Sequence, residues 1–223
     1  MPNFKPLSYV SAAALLSFSF SNAAHADAFP RGEGRTFLST SIQTEVDGGS
    51  SSFASLFYEY GLTEDLTFGI DGGSNVASQQ TTGIAFLRKT VSYGTHLFSY
   101  GLGVGVEDSD DGQHGAIRPI AAWGRGYSAS WGNGWYGIEG RHSFFTNGDE
   151  LTGIDTTFGI NNPDSSLSII QLQYSKRSNE RSFIAFAPSY VFKLTPVFSV
   201  ELGANYQFRT DTTALKVGLW TQF

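Results

Sequence analysis

From about residue 35 to the C-terminal Phe223, apolar and polar positions alternate with a period of two, and turn residues interrupt the alternation at regular intervals. The final stretch shows it most clearly. Leu215, Val217, Leu219, Thr221 and Phe223 alternate with Ala214, Lys216, Gly218, Trp220 and Gln222. Neighbouring side chains of a strand point to opposite faces, so one face of this segment is nearly apolar and the other polar or small. The same reading predicts twelve strands, over residues 35–46, 53–62, 66–74, 83–92, 96–106, 116–128, 135–145, 152–160, 166–176, 182–194, 198–209 and 214–223. Between them lie clusters of Gly, Pro, Asn, Asp and Ser, each suited to a turn for its own reason. The fourth and eighth patterns are the weakest, and without them the count is ten.

The faces can be read strand by strand. Ala54, Leu56, Tyr58, Tyr60 and Leu62 oppose Ser55, Glu59 and Gly61. Phe98, Tyr100, Leu102, Val104 and Val106 oppose Ser99, Gly101, Gly103 and Gly105. Val200, Leu202, Ala204, Tyr206 and Phe208 oppose Ser199, Glu201, Asn205, Gln207 and Arg209. A soluble sandwich and a membrane barrel share this periodicity, one hiding the apolar face between sheets and the other giving it to lipid.

The ends of the chain separate the two. Lys5 precedes an apolar stretch from about Tyr9 to Phe20, followed by the small-residue pattern Ala24-His25-Ala26, so residues 1–26 read as a secretory signal peptide. The stretch is too short to span a bilayer as a helix, and no other segment approaches the roughly 18 apolar residues that would. At the other end, a terminal Phe closing an alternating strand resembles the last strand of bacterial outer-membrane β-barrels. That resemblance implies Phe223 as an insertion signal. It implies as partners the periplasmic chaperones and barrel-insertion machinery, together with outer-membrane lipids and lipopolysaccharide. The expected fold is all-β, a transmembrane antiparallel up-and-down barrel of twelve strands, or ten, with short loops. Residues 27–34 form a short periplasmic segment, too little for a plug domain, and 35–223 the barrel.

Composition agrees with this architecture. Aromatics make up 15% and Gly 26 of the 223 residues, while hydrophobic residues are only 40%, as expected where one face of each strand meets lipid. There is no Cys, so no disulfide framework and no lipidated Cys anchor. The net charge of −6 disfavours nucleic acid as a partner. With a periplasmic N-terminus, Tyr58, Tyr60, Phe98, Tyr100, Trp123, Tyr127 and Tyr136 gather at the periplasmic rim, where amphipathic rings favour the headgroup level. Pro119 falls on the lipid face of a central strand and predicts a bulge. Arg125, also outward, must snorkel or mark a register shift. The opposite loops carry Glu107, Asp108, Asp110, Asp111, Asp149, Glu150 and Glu180, an acidic mouth or simply solvated loops.

Candidate chemistry lies on the polar face. Inward positions include Arg35, Glu45, Glu59, Asp71, Arg118, Glu139, Arg141, Asp155, Lys193, Glu201, Arg209 and Lys216; of these, Glu59, Asp71, Arg118, Glu139, Arg141, Glu201, Arg209 and Lys216 are the candidates for lumen lining. Mixed charge of this kind either orients a polar solute or pairs off and stiffens the wall. Inward glycines leave room that either holds water or is filled by inward rings such as Phe57, Trp135 and Trp220. Lipid hydrolysis needs a Ser and His on one face. His142 and Ser143 are neighbours in a strand and so face opposite sides, and His114 and His96 lie at the loop and rim. No metal-ligand spacing, phosphate-binding loop or nucleophile elbow occurs, so no catalytic residue, metal or cofactor is expected.

The stretch Tyr58-Glu59-Tyr60-Gly61-Leu62-Thr63-Glu64-Asp65-Leu66-Thr67-Phe68-Gly69 resembles a hairpin of outer-membrane channels associated with aromatic-compound (meta-pathway) degradation. That resemblance implies passive uptake of small organic molecules. The expectation from the whole chain is a narrow passive channel for small solutes. The alternatives are a closed structural or interaction barrel and, less favoured, a lipid-acting hydrolase.

Overall fold

The computed structural model describes residues 28–46, 51–78, 80–110, 112–130 and 132–223; the predicted signal peptide lies outside the described residues. Twelve strands follow in order: β1 Thr36–Glu45, β2 Ser52–Gly61, β3 Leu66–Asn75, β4 Thr81–Tyr93, β5 His96–Ser109, β6 Gly112–Ala129, β7 Gly132–Phe145, β8 Glu150–Asn161, β9 Leu167–Arg177, β10 Phe183–Lys193, β11 Phe198–Gln207 and β12 Thr212–Gln222. Each pairs antiparallel with its sequence neighbours, and β12 closes on β1 to complete an up-and-down barrel. All twelve predicted strands are present, including the weak fourth and eighth.

Phe223 takes part in the closure. The Thr36 amide donates to the Phe223 carbonyl at 2.6 Å and the Phe223 amide donates back to Thr36 at 3.2 Å, while the Phe223 ring points outward and is exposed. The start of β1 and the C-terminal Phe223 therefore lie at one end of the barrel, termed here the terminal end; the other is the distal end.

Burial inverts the usual globular pattern. Ile42, Leu56, Leu102, Val104, Ile117, Leu172, Leu202, Val217 and Leu219 stand exposed on the outer wall, whereas Glu59, Arg88, Arg118, Glu139, Arg141, Glu201 and Lys216 are buried. In water such a surface would be costly, at about 25 cal/mol per Å² of exposed apolar area; in hydrocarbon it is the stable arrangement. Near the terminal end the outer wall carries a row of rings. His96, Trp123, Tyr136, Tyr127 and Phe158 touch in succession with centroids 5.4–6.3 Å apart, and the Trp123 indole donates to His96 Nδ1 at 3.1 Å.

Three details differ from expectation. Pro119 makes no bulge: Ala116 to Ile117 pair with Phe145 to Phe144, and Ile120 pairs with Arg141 in the same register, so the proline only removes the rungs between. Pro188 leaves a similar gap between Phe186–Tyr206 and Ser189–Gly203. Arg125 keeps its place opposite His96 and Tyr136 with no register shift, half-buried at the ring-lined rim. The distal strand ends also run further than their turn residues suggest. β5 and β6 continue to a tight turn at Ser109 to Gly112, where Gly112 has φ +115°, so Glu107 belongs to a strand and not to a loop.

Candidate functional site

The interior is layered along the barrel axis. Nearest the terminal end, residues 28–34 turn back across the mouth as a strap. Arg35 donates to the Gly32 carbonyl at 3.2 Å, and Gly32 and Gly34 take left-handed φ values of +83° and +71° that suit glycine. The strap lies tight on the wall: a Cβ on Gly61 would come within 1.7 Å of the Gly32 carbonyl oxygen, and one on Gly124 would meet Phe29 at 2.9 Å and the Ala28 methyl at 3.0 Å. Gly61 is on β2 and Gly124 on β6, so the strap spans several strands of the mouth. Polar bonds pin it. Arg31 pairs with Glu59 and stacks over Phe37, its backbone amide donates to Thr67 Oγ1, and Arg88 donates to the Phe29 carbonyl. The short segment before β1 thus occupies the lumen mouth instead of hanging free below it.

Beside the strap sits an apolar layer. Phe37, Phe57, Phe86, Ile169, Val191 and Trp220 converge from six strands, with Ile120, Trp135 and Leu167 against them. Their rings meet edge to face or stacked at 5.6–6.4 Å. Glycine makes the room for them: a Cβ at Gly69 would strike Phe86 at 2.1 Å and one at Gly159 would strike Trp135 at 2.3 Å.

Buried ion pairs run along one wall, from Arg88 and Glu59 beside the strap to Arg118 and Arg141 further in. Arg88 bonds Glu59 at 2.6 Å; Arg118 bonds Asp71 at 2.7 Å and Ser143 at 2.9 Å; Arg141 bonds both Glu139 and Asp155 at 2.8 Å. The Arg118–Ser143 bond bridges β6 and β7 where Pro119 has removed the backbone rungs. Across the barrel Lys216 bonds Glu201 at 2.8 Å, and the Trp220 indole donates to the same carboxylate at 3.1 Å. Charges buried like this persist only when paired and hydrogen-bonded. A cavity walled by Phe57, Asp71, Phe86, Arg88, Arg118, Ile120, Glu139 and Arg141 has room for about one water molecule.

The remaining wall is amide-lined. Asn205 donates to Gln173 at 2.9 Å, Gln173 to Gln171 at 3.4 Å, and Gln171 to Thr157 at 3.1 Å. At the distal end Arg177 ties the strands and turns together. It bonds Glu107 at 2.5 Å and Asp149 at 3.3 Å, lies 3.8 Å from Glu180 and stacks over Phe145.

The structure thus puts Glu59, Asp71, Arg118, Glu139, Arg141, Asp155, Glu201 and Lys216 inside the barrel. Arg209 is elsewhere. β11 ends at Gln207, and the turn carries Arg209 out of the alternation to an exposed position, 2.8 Å from Ser182 Oγ. Arg35 and Lys193 are also exposed at strand ends, and Glu45 is half-buried at the distal end of β1. Arg31, Arg88, Glu107 and Arg177 complete the network without having been anticipated. In β4 both faces hold apolar residues and one cation, Arg88 or Lys89, so the alternation there is ambiguous; Glu107 and Arg177 look like loop residues because charge crowds around them. His142 and Ser143 face opposite sides. Ser143 is buried on Arg118, and His142 lies outside, 2.8 Å from Thr152 Oγ1 and 4.4 Å from the Phe144 ring.

No protein-family model matches the chain, and no curated protein matches it in sequence. Solved structures do match in fold. The NanC porin aligns with a TM-score of 0.63 at 12% identity, covering 82% of this chain and 98% of that one. The KdgM porin aligns at 0.61 and 10%, covering 84% and 99%. An outer-membrane channel from Pseudomonas putida F1 aligns at 0.58 and 11%, covering 89% and 99%. At these identities the likeness is one of fold.

Proposed function

We propose that this chain forms a narrow passive channel for small solutes in the bacterial outer membrane, exported by its signal peptide and held nearly shut at its terminal end by the strap. The observation that carries the reading is a charged, hydrogen-bonded interior behind an apolar wall. A barrel needing only rigidity could fill its core with apolar side chains and avoid the desolvation of five ion-paired cations. The shared fold with proteins whose names are porin and channel supports the same reading. On it, the terminal end is periplasmic, Phe223 is the signal for the insertion machinery after passage with periplasmic chaperones, and the distal rim meets lipopolysaccharide.

A second reading, a closed structural barrel, draws on the apolar layer around Phe37, Phe57 and Trp220. Lipid hydrolysis gains nothing from the geometry, since His142 and Ser143 are divided by the wall. Purified protein in planar bilayers separates the first two. Stepwise conductance supports the channel; electrical silence from a preparation whose heat-modifiable band proves it folded supports the closed barrel.

A further inference from the structure

Resting on the channel reading, we infer that the path through the lumen follows the amide wall along β9–β11 and selects small uncharged solutes bearing hydroxyl or amide groups. Three observations lead there.

The first is charge. Each lumenal cation named above already has a carboxylate partner, at 2.6–2.8 Å for those on the wall. Among the described residues, an ionic solute passing these cations would have to displace a carboxylate from a buried pair to gain a countercharge. The second is the amide chain itself. Gln171, Gln173 and Asn205 are buried and bond to one another through weak neutral contacts, which hydroxyl or amide groups of a solute can replace one for one. The third is space. The inward face of β10 between those amides carries only Ala185, Ala187 and Ser189, in register with Gln173, Gln171 and Ile169. A cavity lies against this stretch, bordered by Gln171, Asn205, Ala187 and the paired Lys216 and Glu201, and holding room for about one water. Long amide side chains beside small residues can swing aside, whereas the paired arginines opposite are locked.

The test uses the mature protein and its Arg31→Ala variant reconstituted into liposomes. Swelling is measured in isotonic arabinose and glucose, gluconate, glucosamine and glycine. The neutral sugars should enter at least about fivefold faster than the acid or the amine of similar size. Gln171→Leu combined with Asn205→Leu should abolish that advantage. Gln171→Glu, which keeps the side-chain length, should shift the preference to glucosamine if the double variant fails to fold. Equal rates for neutral and charged solutes, or faster entry of gluconate, overturn the inference and leave the channel intact. No swelling with any solute and no conductance from folded protein would instead overturn the channel and this inference with it.

Discussion

The two ends of the lumen close by different physics. At the terminal end a strap of a few residues, pinned through Arg31 to Glu59, lies over an apolar layer of Phe37, Phe57, Phe86 and Trp220, so closure there is mainly a matter of shape. Towards the distal end Arg141 holds Glu139 and Asp155, and Arg177 holds Glu107 and Asp149 beside a small apolar cluster of Ile84, Ala116, Phe145 and Leu151, so closure there is mainly electrostatic. The difference sets which end can open. Apolar packing and a strap give way by small displacements, while a buried ion pair cannot be loosened without exposing both charges to a low dielectric. The distal network is therefore a brace, and the terminal end is where a gate can work.

Cutting the brace should have the largest effect. Arg141→Ala removes the guanidinium that both Glu139 and Asp155 bond and should destabilise the barrel by about 3–5 kcal/mol, read from denaturant unfolding of the detergent-folded protein. A loss below about 1 kcal/mol would show that the distal charges contribute little and would erase the contrast. Trp220→Ala, at the apolar layer, should cost about 3 kcal/mol and enlarge the pore together. Lower stability with unchanged conductance would mean that the layer is core and not constriction. Arg31→Ala removes the strap's ion pair but leaves Glu59 bonded to Arg88. It should cost about 1 kcal/mol or less overall while making residues 28–34 far more susceptible to added protease.

The smallest effect concerns pH at the terminal turns. The Ser166 hydroxyl and backbone amide, with Tyr190, hold the Asp164 carboxyl below its ordinary value of 3.8. The group's folded value is lowered, so its contribution is complete above about pH 4 and fades as pH falls through the folded value. Lower protection of the Ser166 amide, measured against its intrinsic exchange rate, on acidification and at neutral pH in Asp164→Asn checks it.

Much of this was legible in the chain. The period of two and the turn clusters point to twelve strands, or ten, and with both chain ends they tell lipid face from lumen, because each strand repeats the same physical demand. Glu59, Arg118 and Arg141 followed from that alternation. What escaped depends on tertiary contact. The strap reads in the sequence only as a short periplasmic segment, because nothing local says that Gly61 and Gly124 lack side chains in order to receive it. Arg209 was misread because the turn after β11 begins two residues earlier than its polar composition implies, and Pro119 because a strand can lose rungs without gaining a residue.

The most direct test is the single-channel conductance of Gly61→Ala. A methyl at that position has no room beneath the Gly32 carbonyl, 1.7 Å away, so it must lift the strap while leaving the ion-pair brace untouched. Open steps at least about twice those of the wild type, with unfolding shifted by no more than about 1 kcal/mol, are the predicted result. Steps identical to wild type from a folded variant would contradict a strap that closes the terminal end.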